Sequence, residues 1–214
     1  MNNQESYIYG LLLADGNIYL TDRNRGRVSL ELSARDKDIV LKLFQLVPNS
    51  HIRERTRDTN FKKGYTSCSF VNSQLEFRTW LFDCGFPKEN KTFDAAPPKV
   101  DYIEKDFWRG FIDGDGSIGI TSKNIPFLSI VTDSEYIKDA YLDYLYRSYG
   151  LKKKSSRNKR DNAFNIMVTN EDAVQIAKDL YLDSDLYLDR KYQKAVELQS
   201  WVRTAPKRKT RSRA

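Results

Sequence analysis

Two carboxylates occupy the same place in a repeated phrase. Asp15 closes the apolar run of YIYGLLLADGNI (Tyr7–Ile18), and Asp115 closes that of DFWRGFIDGDGSI (Asp106–Ile118). Gly10, Asp15, Gly16 and Ile18 recur as Gly110, Asp115, Gly116 and Ile118. The spacing predicts a helix ending at each acid, so each carboxylate stands at the negative end of a helix dipole, where its charge is unfavourable. Gly10 with Ala14, and Gly110 with Gly114, are four apart and share a helix face. Small residues on that face let two helices cross closely. Such a crossing brings both acids to one end of the interface, where like charges raise each other's pKa or destabilise the fold. A divalent cation removes the conflict. Oxygen-only donors suit Mg2+, which binds through one or two carboxylates plus phosphate, and carboxylates holding metal against phosphate form the arrangement of phosphodiester hydrolysis. Two plain core helices with glycine stops would account for the apolar residues but not for the acids. Gly16 and Gly116 are expected in the left-handed conformation that ends many helices.

The elements around the acids repeat as well. After Gly16 a strand is predicted over Asn17–Leu20, then a basic turn, then the strand VSLELS (Val28–Ser33); after Gly116 come SIGITS and FLSIVT (Phe127–Thr132). Ile39, Val40, Leu43 and Phe44 mark a helix from about Asp36 to Val47. Ile137, Tyr141, Leu142 and Leu145 mark another from about Ser134 to Tyr149. Two further strands are predicted in each half, HIRERTRD and YTSCSFVN, then LKKKSSRN and AFNIMVTN, each pair followed by a helix capped near Asn72 or Asn170. Lys91 in ENKTF and Lys191 in DRKYQKA stand near the close of the halves, and equivalent features lie 98 to 100 positions apart. The expected fold class is α+β, with two pseudo-symmetric αββαββα repeats. The first repeat spans 1–95 and the second 96–206, joined by the Pro-Pro linker DAAPPKVD (94–101), with a basic tail at 207–214.

Composition narrows the partners. The 214 residues suffice for a sizeable core, and thirteen Tyr with eleven Phe exclude a disordered chain. Lys and Arg outnumber Asp and Glu by 36 to 29, for a net charge of +7, which favours a polyanionic partner. Two cysteines and one histidine, Cys68, Cys84 and His51, make neither a disulfide framework nor a Cys/His zinc site. The cysteines read as small core residues and His51 as a surface residue. The opening MNNQES is polar and does not read as a signal peptide, and no apolar run reaches a membrane-spanning length. The expectation is an intracellular protein in bacterial or phage-infected cytoplasm or in an organelle.

The two phrases IYGLLLADG (Ile8–Gly16) and WRGFIDGDG (Trp108–Gly116) resemble the LAGLIDADG motif. With the same element order after each, nearly the whole chain resembles the monomeric two-repeat LAGLIDADG homing endonucleases. The resemblance implies a site-specific double-strand DNA endonuclease that hydrolyses phosphodiesters at a long asymmetric target and leaves short 3′ overhangs. It implies Mg2+ as cofactor, with Mn2+ substituting and Ca2+ binding without turnover. Asp15 and Asp115 map onto the family's metal ligands, and Ala14 and Gly114 onto the residues whose main-chain carbonyls touch metal. Lys191 and Lys91 map onto its basic catalytic position. The polar position of the second strand falls near Glu31 and Ser129. The motif's earlier acidic position is Leu13 in one copy and Asp113 in the other, and it is not generally a ligand in the family.

The implied substrate gives the basic clusters a task. Arg53, Arg55 and Arg57 alternate and share one strand face; Arg23, Arg25 and Arg27 surround a turn; Lys152, Lys154, Arg157, Lys159 and Arg160 cluster in the second half. Each cluster alone could be a solvated edge that discourages strand pairing. Their recurrence in both halves favours one surface on double-stranded DNA, where Arg reads guanine and Lys holds phosphate. No protein partner is required and a monomer is expected. An intein reading fails for want of an initiating Cys or Ser and a closing His-Asn. An RNA-splicing maturase or a non-catalytic DNA-binding relative remains as the alternative.

Overall fold

The structure, a computed structural model, describes residues 1–23, 25–58 and 63–203. The basic tail from Lys207 to Arg213 lies outside the described residues. The chain opens with helix α1 (Asn3–Asp15), strands β1 (Gly16–Leu20) and β2 (Gly26–Ser33), a 3-10 turn (Ala34–Asp36), and helix α2 (Lys37–Leu46). Strands β3 (Ser50–Arg57) and β4 (Tyr65–Asn72) and helices α3 (Leu75–Asp83) and α4 (Lys91–Asp94) follow. The design then restarts with α5 (Glu104–Asp115), β5 (Gly116–Ile120), β6 (Pro126–Thr132), α6 (Glu135–Tyr149), β7 (Phe164–Thr169), α7 (Glu171–Tyr181) and α8 (Asp189–Gln199). The strands form two antiparallel sheets, ordered β1-β2-β4-β3 and β5-β6-β7. Among the described residues no helix is long and apolar enough to cross a membrane.

Local chemistry fixes the helix ends. Asn2 and Glu5 form a reciprocal capping box on α1, and the Ser134 hydroxyl caps α6 by accepting from the Ile137 amide. Gly150 ends α6 in the left-handed conformation, at φ 67°. Gly16 and Gly116 do not adopt it. Their φ values of −73° and −91° are extended, because each starts a strand at once instead of closing a turn. What demands glycine there is space: a Cβ on Gly16 would lie 2.5 Å from the Leu12 carbonyl oxygen, and one on Gly116 would lie 2.6 Å from that of Ile112.

The small-residue faces meet as their spacing predicts. A Cβ on Gly10 would lie 2.2 Å from the Phe107 carbonyl oxygen, one on Gly110 would lie 2.1 Å from that of Tyr7, and one on Gly114 would lie 2.3 Å from the Ala14 Cβ. Helices α1 and α5 therefore touch backbone to backbone. Tyr7, Tyr9, Leu11, Leu12, Phe107, Trp108, Phe111 and Ile112 are buried around the crossing. Cys68 and Cys84 are free and buried, as expected, and His51 is exposed.

Three elements depart from the expected repeat. The predicted strand LKKKSSRN adds no strand to the second sheet; only an isolated bridge, Arg157 to Phe164, survives. Side chains take over the pairing there: the Lys153 ammonium donates to the Met167 carbonyl at 2.8 Å and the Ser155 hydroxyl to that of Asn165 at 3.2 Å. Helices α4 and α8 are additional, and each carries one of the two lysines near its start. Gln74 rather than Asn72 is the N-cap of α3; Asn170 is the N-cap of α7, as expected, but at φ 62° and without a side-chain cap bond.

Candidate active site

Asp15 and Asp115 are the last residues of α1 and α5, and the crossing sets them side by side. A Cβ built on Gly114 would lie 3.4 Å from the Asp15 carboxyl carbon. Both carboxyls reach solvent, yet they stand in a recess crowded by protein that thins their hydration. Lost hydration raises Asp15 above the usual carboxylate range, opposed by Lys191, Lys91 and Arg190. The same loss, followed by repulsion from Asp15, raises Asp115 to about 6 against Lys91 and Lys191. The electrostatic conflict read from the sequence is therefore present.

The lysines answer the helix ends. Lys91 Nζ donates to the Ala14 carbonyl at 2.7 Å and to that of Gly16 at 2.5 Å. Lys191 Nζ donates to the Ile112 carbonyl, to Asp113 O at 2.7 Å, to Gly116 O at 2.9 Å and, at longer range, to Gly114 O at 3.4 Å. Each ammonium satisfies carbonyls that a helix C-terminus leaves orphaned and opposes the negative end of its dipole. Burial lowers both lysines, Lys191 to about 8, with the nearby acids pulling the other way.

Asp113 has a role that the sequence reading passes over. It is 1% exposed and accepts from the Tyr7 hydroxyl at 2.6 Å, the Tyr181 hydroxyl at 2.7 Å and the Leu188 amide at 2.8 Å. Leu188 is the N-cap of α8, so Asp113 fixes the start of the helix that aims Lys191. Leu13, its counterpart, is an ordinary buried apolar residue. On the same turn of α8 the Arg190 guanidinium grips the buried Asp36 carboxylate at 2.9 and 3.1 Å. Asp133, also unanticipated, lines a cleft of about 260 Å³ with Ala14, Lys91, Thr132 and Asp115, and its charge adds to the rise of Asp115. An acid directly after β6 is the signal that could have found it. Glu31 and Ser129 are instead on the sheet faces away from the core.

Among the described residues no group of three or more His, Cys, Asp or Glu side chains is arranged to hold a metal. A cation here would rest on Asp15, Asp115, main-chain carbonyls and a phosphate. That set is all hard oxygen, in a place already short of positive charge, and it fits Mg2+. The Ala14 and Gly114 carbonyls accept from lysine, but a carbonyl oxygen has two lone pairs and can serve a second cation.

The basic clusters occupy the outward face of the first sheet, its β1–β2 turn and, in the second half, the segment beside β7. Arg27, Arg53, Arg55 and Arg57 are exposed on one face of the first sheet, with Arg57 paired to Glu31 at 3.0 Å and Arg27 5.1 Å over the Tyr19 ring. Among the described residues Arg53 and Arg55 have no ion-pair partner. Arg23 (φ 59°) and Arg25 stand in the β1–β2 turn. In the second half Lys152, Lys154, Lys159 and Arg160 are exposed. Arg157 is differently used: its guanidinium donates to Asn162 O at 2.7 Å and Asp133 O at 2.8 Å and covers the Phe164 ring, which pins the hairpin.

Comparison with known proteins agrees with this geometry. Residues 103–193, from the approach to α5 into α8, match the LAGLIDADG-like domain. The fold is that of the LAGLIDADG homing endonucleases. I-WcaI bound to its DNA recognition sequence superposes with a TM-score of 0.64 at 16% identity, over 90% of this chain and 85% of that one. I-DmoI in complex with its target DNA in the presence of Mg superposes at 0.55 and 15%, over 86% and 97%. The N-terminal LAGLIDADG domain of DUF199/WhiA superposes at 0.53 and 17%, over 89% and 88%. No curated protein matches the chain.

Proposed function

We propose that the protein is a site-specific, Mg2+-dependent DNA endonuclease acting as a monomer on a long asymmetric duplex. The observation that carries this reading is the meeting of Asp15 and Asp115 at one end of the helix crossing, both raised by lost hydration and Asp115 further by its neighbour. A protein without use for cations or phosphate has no reason to retain that conflict twice.

In this reading the sheet faces hold the duplex so that a phosphate of each strand comes down on the crossing. Asp15 and Asp115 hold the metal, with the Ala14 and Gly114 carbonyls as further donors. What Mg2+ supplies when bound is charge neutralisation at the scissile phosphate and acidification of water. Lys91 and Lys191 stay as ammonium ions among helix-end carbonyls and stabilise charge that develops on phosphate oxygens. Asp113, with its three donors, keeps Lys191 in place.

The likeness to the DUF199/WhiA domain supports a second reading, a DNA-binding relative that does not cut. Incubation of the full chain with a library of duplex sites, with Mg2+ and with EDTA, separates the two. The nuclease reading expects cleavage of a small subset of sites with Mg2+ alone. Selective retention without cleavage would leave the binder.

A further inference from the structure

The two sheets share one lattice but present different chemistry on it. Gly16, Leu30 and Phe70 face one another across β1, β2 and β4 as Gly116, Ile130 and Ile166 do across β5, β6 and β7. This alignment pairs Arg27 with Phe127, Glu31 with Val131 and Ser69 with Asn165. In the first sheet the row one step along reads Glu31, Ser69, Arg53. In the second the same row reads Val131, Asn165. All of these residues lie on the outward faces.

The first row is built for polar contact. Glu31 accepts from Arg57 and from the Ser67 hydroxyl, both on Oε1, so its carboxylate is oriented while Oε2 has no partner among the described residues. Across Ser69 from it, Arg53 is exposed and has no ion-pair partner among the described residues. The second row is built for apolar contact with one amide. Val131, on the central strand, is 43% exposed; along the same face Met167, opposite Ser129, is also 43% exposed, and Phe127, opposite Thr169, is half-buried. Asn165 is exposed, and its side chain has no partner among the described residues. The basic side chains of this half are outside the row: Lys152 and Lys154 on the segment beside β7, and Lys159 and Arg160 on the following turn, at the edge of the recess that Val131 and Asn165 line.

We infer that the two sheets read base pairs of opposite class, the first a G·C-weighted half-site and the second an A·T-weighted one. The inference rests on the DNA-reading function proposed above. In the major groove Arg bonds guanine through O6 and N7 and Glu accepts from cytosine N4, so Arg53 and Glu31 each favour a G·C pair. Asn bonds adenine through N6 and N7 and apolar side chains pack on the thymine methyl, so Asn165 with Val131 matches an A·T pair. Arg27 against Phe127, two outward-facing rows away, extends the same contrast. Lys152 and Lys154 then hold phosphate and carry no base information.

Selection of bound duplexes from a randomised library, with the full chain in Ca2+, tests this without cleavage. The expected pool is G·C-rich in one half and A·T-rich in the other, with a preference of about 5- to 150-fold at the base pairs under the two rows. Val131→Glu with Asn165→Ser should turn the A·T half toward G·C and leave the other half unchanged. Glu31→Val with Ser69→Asn should do the converse, and all four changes are on outward faces. A specific site with no compositional contrast, or one unmoved by both exchanges, overturns the inference and leaves the DNA-reading function standing. A chain that selects no sequence at all overturns that function and the inference with it.

Discussion

The Tyr7 hydroxyl donates to the Asp113 carboxylate at 2.6 Å, from the first motif helix into the second. Both side chains are buried, and the same carboxylate holds the Tyr181 hydroxyl and the Leu188 amide. One residue thus ties the helix crossing to the start of α8, and α8 carries Lys191. With Leu13 at the matching position, the first half has no such tie.

Tyr7→Phe removes one of the three donors and leaves Asp113 under-satisfied in the interior. Urea unfolding should show a loss of about 1–3 kcal/mol. Asp113→Leu, which installs the residue of the first copy, strands two hydroxyls and an amide and should cost more. Strand-resolved cleavage by Tyr7→Phe adds a second readout. The strand served by Lys191 should slow while the other keeps its rate, and equal slowing of both would show the bond to be structural only.

The crossing itself predicts intolerance to a single methyl group. Gly110→Ala places a carbon 2.1 Å from the Tyr7 carbonyl oxygen, which is backbone and cannot rotate away. Thermal unfolding should show a large loss, beyond the ~1–3 kcal/mol of ordinary overpacking. Gly119→Ala is the control, since its new carbon comes no nearer than 3.4 Å to the Phe127 ring. Similar stability of both variants would remove the close-contact account.

The crossing was legible because it rests on local rules: helical spacing places Gly10, Ala14, Gly110 and Gly114 on faces, and small faces approach. The order of strands and helices was legible for the same reason, from alternation and period. The strand expected over LKKKSSRN was not, because a polar, basic run looks like a strand edge whether the backbone or the Lys153 and Ser155 side chains make the bonds. The tasks of Asp113 and Asp133 were hidden for a different reason. Their partners lie far away in the chain, Tyr7 and Leu188 for one and Asp115 for the other, and no periodicity encodes such meetings. Lys91 and Lys191 were found by position, but their bonds to helix-end carbonyls belong to tertiary structure.

Stability should depend on Asp115 in a definite direction. Its folded pKa of about 6 exceeds the ordinary 3.8, so the folded protein binds this proton more tightly than the unfolded chain does. The stabilising contribution is full below 3.8 and lost as pH rises through about 6. Without divalent metal, Asp115→Asn should therefore be more stable than the parent at pH 8, by on the order of 1 kcal/mol once solvent screening is allowed for. The difference should fade as the pH is lowered toward 4. Urea midpoints across this range measure it, and a variant less stable at pH 8 would contradict the assigned loss of hydration and repulsion at Asp115.

The tail should add affinity without choosing the site. Five of the seven residues from Lys207 to Arg213 are basic, with no aromatic among them. Phosphate contacts make binding salt-dependent and carry no sequence information. Deletion of the tail should reduce the slope of log K against log salt by about 0.9 for each phosphate that the tail neutralises in the full chain. A changed preferred site in the truncated protein would show that the tail reads bases.

The central claim is that Asp15 and Asp115 serve the chemistry and not the binding. Its most direct measurement pairs a DNA-binding titration in Ca2+ with a cleavage time course in Mg2+ for the parent, Asp15→Asn, Asp115→Asn and Lys191→Met. Loss of a carboxylate charge beside phosphate should leave binding as tight or tighter for both Asn variants, while cleavage falls by orders of magnitude. Lys191→Met should bind normally and cut slowly. Parental cleavage rates on both strands by the two Asn variants would contradict the account and remove the metal-dependent nuclease built on these acids.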